Sequence, residues 1–140
     1  MPLLRILLAF LLAIALNACS TPGPLTAAAE QAIALQVEQT QAVLRQQLFR
    51  RTAPEPPAVA ISHVRITQQE GVKIQGQKGY HIRGTYDVEF DFGDRRVTQR
   101  ENPFDLYLQR DAESDRWSWA KPTAGNGATQ WTLQTLPQNR

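Results

Sequence analysis

The sequence predicts an α+β fold, in which one long amphipathic helix on the amino-terminal side packs on an antiparallel sheet of about four strands in meander order. Two observations predict this fold. The segment from Leu25 to Arg51 contains neither proline nor glycine and repeats its apolar residues at i, i+4 spacing. After Pro57 the apolar period changes to two, which is typical of strands with one buried face. Packing the helix on the sheet would bury the apolar face of each.

The helix is predicted over Leu25 to Arg51 because good helix formers, mainly alanine, glutamine, leucine and glutamate, dominate the segment. Its apolar stripe, in which Thr40 fills a gap, consists of Ala29, Ile33, Val37, Leu44 and Leu48. Prolines at positions 54, 56 and 57 end the helix, since proline cannot donate to the backbone hydrogen bonds. We expect the whole stripe to face the sheet.

Two segments after Pro57 have the composition of strands. Val59 to Thr67 is rich in β-branched residues. Between Tyr80 and Phe92 the apolar residues occupy even positions and the polar or charged ones odd positions, so this strand has one buried and one solvated face. The polar stretch from Gln68 to Gly79 holds three glycines and is predicted as a loop or a weak hairpin.

The pair Gly93-Asp94 predicts a two-residue hairpin turn after this strand. The turn sets four cross-strand pairs, which are Phe92 with Arg95, Asp91 with Arg96, Phe90 with Val97, and Asp87 with Arg100. Two of these pairs join an acid to an arginine on the solvated face, and each such pair contributes roughly 0.2–1 kcal/mol.

The third strand requires a shift in phase. The predicted register makes its core-facing positions odd up to Glu101, whereas the apolar residues further on are even: Phe104, Leu106 and Leu108. The expected place of the shift is Asn102-Pro103, because proline cannot join a strand ladder and marks bulges or edges.

The remaining chain predicts a fourth strand and a short last one. Asp111 to Asp115 is a polar turn, and Trp117-Ser118-Trp119 alternates again as the fourth strand. Pro122 to Gly127 is predicted as a loop, and Thr129 to Leu133 as a short strand. Residues 137–140 are predicted as a frayed tail, so residues 25–136 are expected to form a single domain.

Composition and charge exclude several classes of function. The 140 residues carry 15 basic and 13 acidic side chains, and such a near-neutral domain has no global field to hold nucleic acid. The single cysteine rules out an internal disulfide. No residues have the spacing of metal ligands, and the glycines lack the strand-then-helix context of a phosphate loop. No cofactor or metal is therefore predicted, and the oligomeric state is left open.

The amino-terminal end has the features of a targeting segment. Met1 to Arg5 is a short basic region, and Ile6 to Leu16 is an unbroken apolar run, too short to cross a hydrocarbon core of about 30 Å as a helix. Residues 1–18 therefore predict a signal peptide. Two alternatives remain open: an ordinary secretory signal with an incidental cysteine, and an uncleaved anchor helix.

The residues that end this segment, Leu16-Asn17-Ala18-Cys19, resemble the lipobox of bacterial lipoproteins. The resemblance implies cleavage before Cys19, a lipid on its thiol, and acylation, as by palmitate, of the new amino terminus. Several acyl chains together give stable anchoring in the membrane. By the sorting rule of enteric bacteria, Ser20 implies the outer membrane, with the domain on the periplasmic side. Residues 19–24 form the lipidated tether, in which Ser20 to Pro24 spans at most about 18 Å.

From Leu25 to Lys121 the order of predicted elements resembles the cystatin-like and nuclear-transport-factor-2-like group. Tyr107-Leu108 and the segment from Arg116 to Trp119, joined by an acidic turn, are similar to the last hairpin of many such domains. The resemblance implies a helix lying across a curled antiparallel sheet, and as a fold-level analogy it says little about function. Transport-factor-like proteins usually close a conical pocket with extra helices, whereas one helix is predicted here.

Two histidines are the first candidates for chemistry. His81 shares a face with Asp87, but six residues along one strand are roughly 20 Å, too far for contact. We favour a solvated face with cross-strand arginine partners. His63, on the first strand, could meet His81 or an acid across strands, although a surface or edge histidine is the simpler interpretation.

Three further residues are candidates for contacts with a ligand or a partner. The predicted register turns Glu101 toward the apolar face near Tyr86, where a carboxylate requires a partner; alternatively, the shift in phase already turns it outward. Trp131 is the best candidate for an exposed aromatic side chain. The other tryptophans and tyrosines, at mostly alternating positions, more simply fill a core.

Three functional hypotheses follow. The favoured one is a membrane-anchored envelope lipoprotein that is not an enzyme and binds another protein, or assists assembly, through the sheet face or an edge strand. The second is a binder of a small apolar or lipidic ligand between helix and sheet. The third is an enzyme of the isomerase or dehydratase kind, whose minimum requirement is a pocket with two convergent polar groups such as Glu101 and His63.

Overall fold

A computed structural model describes residues 23–48 and 55–138 of the chain. In these ranges one helix is followed by five strands: α1 (Pro24–Leu48), β1 (Ala58–Ile74), β2 (Gln77–Asp91), β3 (Arg96–Arg110), β4 (Trp117–Ala124) and β5 (Thr129–Thr135). The strands form one antiparallel sheet in the order β1-β2-β3-β4-β5, which is a meander. The predicted α+β class and the helix packed on an antiparallel sheet are confirmed, but the sheet has five strands rather than about four.

The predicted signal peptide, Cys19 and the tether up to residue 22 lie outside the described residues. So do residues 49–51 at the predicted end of the helix and residues 139 and 140 of the predicted tail. Among the residues that the structure describes, no helix is long and apolar enough to cross a membrane.

Of the two alternatives for Gln68 to Gly79, a loop or a weak hairpin, the structure has the hairpin. The loop predicted over Pro122 to Gly127 was wrong in its first half, because residues 122–124 lie in β4. The stretch from Gln68 to Gly79 is one long hairpin, in which only Gln75-Gly76 turns, with φ of 51° and 78°. Its polar side chains fit a strand because β1 is an edge strand and leaves them exposed to water. Pro122 lies in β4, where β4 pairs with β5 and no longer with β3, so its missing N–H faces an open edge.

The helix packs on the sheet through its amino-terminal half. Ala28, Ala29, Ala32 and Ile33 are at most 2% exposed. The sheet residues of the same buried cluster are Ile82, Phe104, Leu106, Leu108 and Trp119. Small alanine side chains allow the helix to pack closely on the sheet here.

The rest of the predicted stripe is not buried, so the expectation that all of it faces the sheet was wrong. Leu44 is 48% exposed and Leu48 is 72% exposed. Only Val37 continues the contact, as a partly buried residue at the edge of the core. The carboxyl-terminal half of α1 therefore presents apolar side chains that this fold leaves uncovered.

The predicted shift in phase on β3 is confirmed, but it lies earlier than Asn102-Pro103. Near the turn the register is as predicted, since Asp91 pairs with Arg96 and the Phe92 N–H donates to the Arg95 carbonyl at 2.9 Å. The register then changes, so that Arg100 and Glu101 together oppose Asp87. This is a β-bulge, in which Glu101 has φ of 54°. The predicted pairing of Asp87 with Arg100 was therefore wrong.

Strand β1, the other neighbour of β2, also has a bulge, and it lies almost level with the bulge on β3. On β1 the register shifts between Ser62 and Arg65, and His63 within this shift has φ of 49°. A positive φ costs energy in a residue with a side chain, so surrounding contacts must hold His63 and Glu101 in place. Strand β2 is thus flanked by two bulges near Asp87.

Gly84 shows how closely the strands approach beside these bulges. It pairs with Ile66 on one side and Phe104 on the other. A Cβ atom at this position would overlap the backbone carbonyl oxygen of Arg65. Only glycine fits this place, which the alternating pattern of β2 left as a gap among its apolar residues.

The face of the sheet opposite α1 is curled at one end. Ile74, at the tip of the first hairpin, is fully buried, and its carbonyl accepts a hydrogen bond from Gln109 Nε2 at 2.9 Å. The neighbouring Gln75 donates to the Trp131 carbonyl on β5 at 3.3 Å. The two edge strands, β1 and β5, therefore approach each other at this end.

Candidate binding surfaces on the two faces of the sheet

A polar cavity of about 780 Å³ lies on the face of the sheet opposite α1. Strands β1, β2 and β3 supply its walls, and the bulges of β1 and β3 both border it. Its ionisable lining residues are His63, Arg65, Asp87, Glu89, Arg100 and Glu101. The hydroxyl groups of Ser62, Thr85 and Thr98 complete the lining.

Asp87 occupies the centre of this cavity and joins the two bulges. Its side chain is 18% exposed, and Oδ2 lies 3.1 Å from Nδ1 of His63. The other oxygen, Oδ1, accepts a hydrogen bond from the backbone N–H of Glu101 at 2.8 Å. One carboxylate thus holds the positive-φ residue of each bulge. Because the carboxylate accepts, Nδ1 of His63 carries a proton in this pair, and in the neutral ring Nε2 is then an acceptor.

The structure decides between the two alternatives for Glu101. Its side chain is exposed and lines the polar cavity, so the bulge turns it outward. Tyr86 lies on the other face, with its ring 6.4 Å from that of Phe104, and burial raises the pKa of its hydroxyl. Glu101 and Tyr86 are therefore not brought together.

His63 does meet an acid across strands, as the sequence allowed, and the acid is Asp87. Its side chain is 82% exposed on an edge strand, which also fits the simpler interpretation of a surface histidine. His63 and Glu101 line one cavity, so the pocket with two polar groups that the enzyme hypothesis requires is present. The prediction that the protein is not an enzyme is not tested by this geometry. In residues 23–48 and 55–138, no three His, Cys, Asp or Glu side chains are grouped to hold a metal ion.

His81 belongs to a separate network on the same face. Its Nε2 lies 2.6 Å from Oδ1 of Asp105, and Oδ2 of Asp105 accepts a hydrogen bond from Arg83 Nε at 3.0 Å. Desolvation, the largest single influence, raises the pKa of Asp105. The hydrogen bonds and charges of His81 and Arg83 together outweigh it, so that this pKa lies below its ordinary value.

Trp131 is half-buried in β5, so the prediction of an exposed aromatic was wrong. Its ring meets that of Tyr107 edge-on at 5.0 Å, and Tyr107 in turn stacks on His81 at 4.2 Å. The curl of the sheet brings the tip of the first hairpin to β5 beside this tryptophan, where Gln75 donates to the Trp131 backbone carbonyl. Trp119 is in the helix-side core as expected, and Trp117 and Tyr80 pack against it.

An apolar groove of about 520 Å³ lies between the exposed end of α1 and the far end of the second hairpin. Leu44 and Leu48 line the helix side, and Phe90, Phe92 and Val97 line the sheet side. Phe92 is 45% exposed and Val97 39% exposed. Arg95 borders the groove and lies over the Phe92 ring at 5.2 Å.

Neither surface was found from the sequence alone, although signals for both were present. The apolar residues of the groove were all identified, but they were assigned to a continuous core. For the polar cavity, the signal was the mismatch of odd and even positions on β3, which indicated a bulge but not that a second bulge on β1 lies beside it.

Comparison with protein-family models, curated proteins and solved structures finds no match for this chain. The geometry of the cavity and the groove therefore carries the functional conclusions.

Proposed function

We propose that this chain is a membrane-anchored lipoprotein of the bacterial cell envelope, and that its domain binds another envelope protein in the apolar groove without catalysing a reaction. The groove carries the proposal. Five large apolar side chains converge there, and four of them stay exposed: Leu44, Leu48, Phe92 and Val97. Contiguous exposed apolar surface with a polar rim is typical of protein interaction sites.

The position of the predicted anchor supports the view that the groove binds a separate protein and not the acyl chains on Cys19. The 25 residues of α1 span roughly 37 Å, with the tether at one end and the groove at the other. The tether from Ser20 to Pro24 reaches at most about 18 Å. The tether is therefore shorter than the helix, and Cys19, to which the acyl chains are attached, cannot reach the groove.

The test places a photo-crosslinking amino acid at position 44, in the groove, in living cells. The matched control is position 133, since Leu133 is 38% exposed outside the groove. We expect one reproducible protein neighbour at position 44 and not at position 133. A second substitution, Phe92→Asp, should abolish this crosslink, because a charge in the groove opposes burial of an apolar partner surface.

Equal capture at both positions, or a crosslink that survives Phe92→Asp, contradicts the groove as a protein-binding site. The folded state of each variant is checked by its circular dichroism. Substitutions at exposed positions such as 44, 92 and 133 usually change the free energy of unfolding by less than about 0.5 kcal/mol.

A small apolar or lipidic ligand is the second candidate for the same groove. The groove lies between helix and sheet, and its volume of about 520 Å³ falls within the range of small-molecule sites, roughly 300–1,000 Å³. Native mass spectrometry of the purified protein distinguishes the two candidates. A bound small molecule that is lost in Phe92→Asp would favour the ligand, and a bare protein mass would count against it.

A further inference from the structure

The polar cavity around Asp87 contains charged side chains that the protein itself does not use. In the described part of the chain, the side chains of Arg65, Arg100 and Glu101 form no ion pair or hydrogen bond. Other arginines of the same face do find partners, as Arg83 does with Asp105 and Arg96 with Asp91. The cavity thus groups unpaired charges of both signs.

The two arginines approach the cavity from opposite sides. Arg65 lies on β1 and Arg100 on β3, with β2 between them. Strands in a sheet are about 4.8 Å apart, so the two backbones are about 10 Å apart across β2. Arginine side chains are long enough to meet above β2 from this distance. Their planar guanidinium groups match the geometry of a carboxylate.

The balance of charge in the cavity indicates what else a ligand must carry. Two arginines are opposed by three carboxylates, Asp87, Glu89 and Glu101, so the lining has a net charge of −1 with His63 counted as neutral. A simple anion would gain from the arginines but be repelled by three acids. A simple cation would be repelled by the arginines. A molecule with both charges can satisfy both groups.

His63 adds an oriented acceptor to this arrangement. Asp87 holds Nδ1, and the positive φ of the bulge fixes the backbone from which the ring projects. In the neutral ring, its Nε2 can accept a hydrogen bond from a donor in the cavity. An ammonium group carries such donors and is also attracted by the carboxylate of Glu101.

We propose that this cavity binds a small zwitterion, with its carboxylate between Arg65 and Arg100 and its ammonium group at Glu101 and Nε2 of His63. Free amino acids and short peptides have this chemistry. The site is independent of the apolar groove, because it lies on the other face of the sheet.

The test uses three probes that differ in which of their two termini is charged. They are the dipeptide Ala-Ala, its N-acetyl form, which is only an anion, and its carboxamide, which is only a cation. Each is titrated into the isotope-labelled domain and followed by nuclear magnetic resonance. We expect saturable shifts at residues 62–65, 85–89 and 98–101 with Ala-Ala, and at least ten-fold weaker binding of the other two probes.

Three variants and one control assign the contacts. Arg65→Gln and Arg100→Gln should each weaken binding of Ala-Ala at least ten-fold and leave the weak carboxamide binding no weaker. Glu101→Gln should weaken Ala-Ala and leave the N-acetyl form no weaker. The control Arg95→Gln removes an exposed arginine at the groove, outside the cavity, and should leave the affinity unchanged.

Equal binding of all three probes, tighter binding of either singly charged probe, or no saturable shift with Ala-Ala would overturn the proposal. Equal loss of affinity in the Arg95→Gln control would also overturn it, because the effect would then come from overall charge. Spectra of each variant without a probe show whether it is folded.

Discussion

At the scale of single residues, Asp87 and Gly84 have the most consequence for their neighbourhood. The carboxylate of Asp87 binds one residue from each flanking bulge. Gly84, three residues earlier on β2, permits the close approach of β1. The sequence showed Asp87 as one acid in an alternating row and Gly84 as a gap in an apolar row. Their roles depend on the strands beside them, which a single strand's pattern does not describe.

Gly84→Ala should destabilise the protein by about 1–3 kcal/mol, the usual cost of overpacking a filled site. The reason is that the new Cβ would meet the Arg65 carbonyl oxygen, which belongs to the backbone and cannot rotate away. Urea unfolding should show a lower midpoint with an unchanged slope.

The matched control is Gly71→Ala, because a Cβ there has no atom within 4 Å and Gly71 lies in the same hairpin as Gly84, on β1. Its free energy of unfolding should change by less than about 0.5 kcal/mol, or rise slightly. Equal destabilisation by both substitutions would show that replacing any strand glycine has this cost. The overlap at Gly84 would then not be the cause.

Asp105 gives the protein a stability that depends on pH. Its pKa in the folded state is lowered from 3.8, so the folded protein binds this proton less readily than the unfolded chain. The contribution is therefore present above the unfolded pKa and is lost as the pH falls through the lowered folded value. Because the side chain is 53% exposed, we expect less than about 1 kcal/mol.

The measurement compares wild type with Asp105→Asn in urea unfolding, at about pH 6 and about pH 2. The variant should be less stable at the higher pH, and the difference should shrink at the lower pH. Asp94→Asn is the control, since Asp94 has no ion pair or hydrogen bond within the described ranges. A difference that grows on acidification would contradict the role of Asp105.

At the scale of elements, the two bulges beside β2 decide where the polar cavity lies. The pattern on β3 predicted one of them, because a period of two cannot change phase without an extra residue. Its position was wrong by one to two residues, since Pro103 pairs in register with Thr85 and the extra residue is taken up at Arg100-Glu101. The bulge on β1 was not predicted, although the apolar residues of β1 also change phase there, from the odd positions of Val59 and Ile61 to the even positions of Val64 and Ile66.

Asp87→Ala should loosen both bulges at once. The Glu101 N–H loses its acceptor, and His63 loses the group that orients its ring. We expect amide hydrogen exchange at Glu101 to become faster and the free energy of unfolding to fall by about 1–3 kcal/mol. Asp91→Ala removes a more exposed acid, which pairs with Arg96 and accepts from the Gly93 N–H, and should cost less than about 1 kcal/mol. Unchanged exchange at Glu101 in Asp87→Ala would show that the bulge does not depend on this carboxylate.

At the scale of the whole molecule, the sheet has two faces with different uses. One carries the helix-side core and, at its open end, the apolar groove. The other carries the polar cavity and the network of His81. The proposed anchor, with its short tether, would hold the domain close to a membrane.

The anchor itself is tested by Cys19→Ser. We expect the wild-type protein to incorporate labelled palmitate and to sediment with membranes, and the variant to do neither, since serine has no thiol for the lipid. Ser20→Ala is the control and should still be labelled. Labelling of Cys19→Ser, or membrane association that does not depend on Cys19, would contradict lipidation at this residue.

The sequence by itself determined the α+β class, the helix, the central hairpin with its turn, and the need for a shift in phase on β3. These features follow from local periods of apolar residues and from turn chemistry, which neighbouring residues along the chain set. Only the tertiary structure decided that half of the helical stripe stays exposed, that Trp131 is covered, and that Asp87 meets His63 rather than Arg100. Those outcomes depend on which strands and helix face each other and at what register. Each contact joins segments that are far apart along the chain, so a local pattern of residues does not determine it.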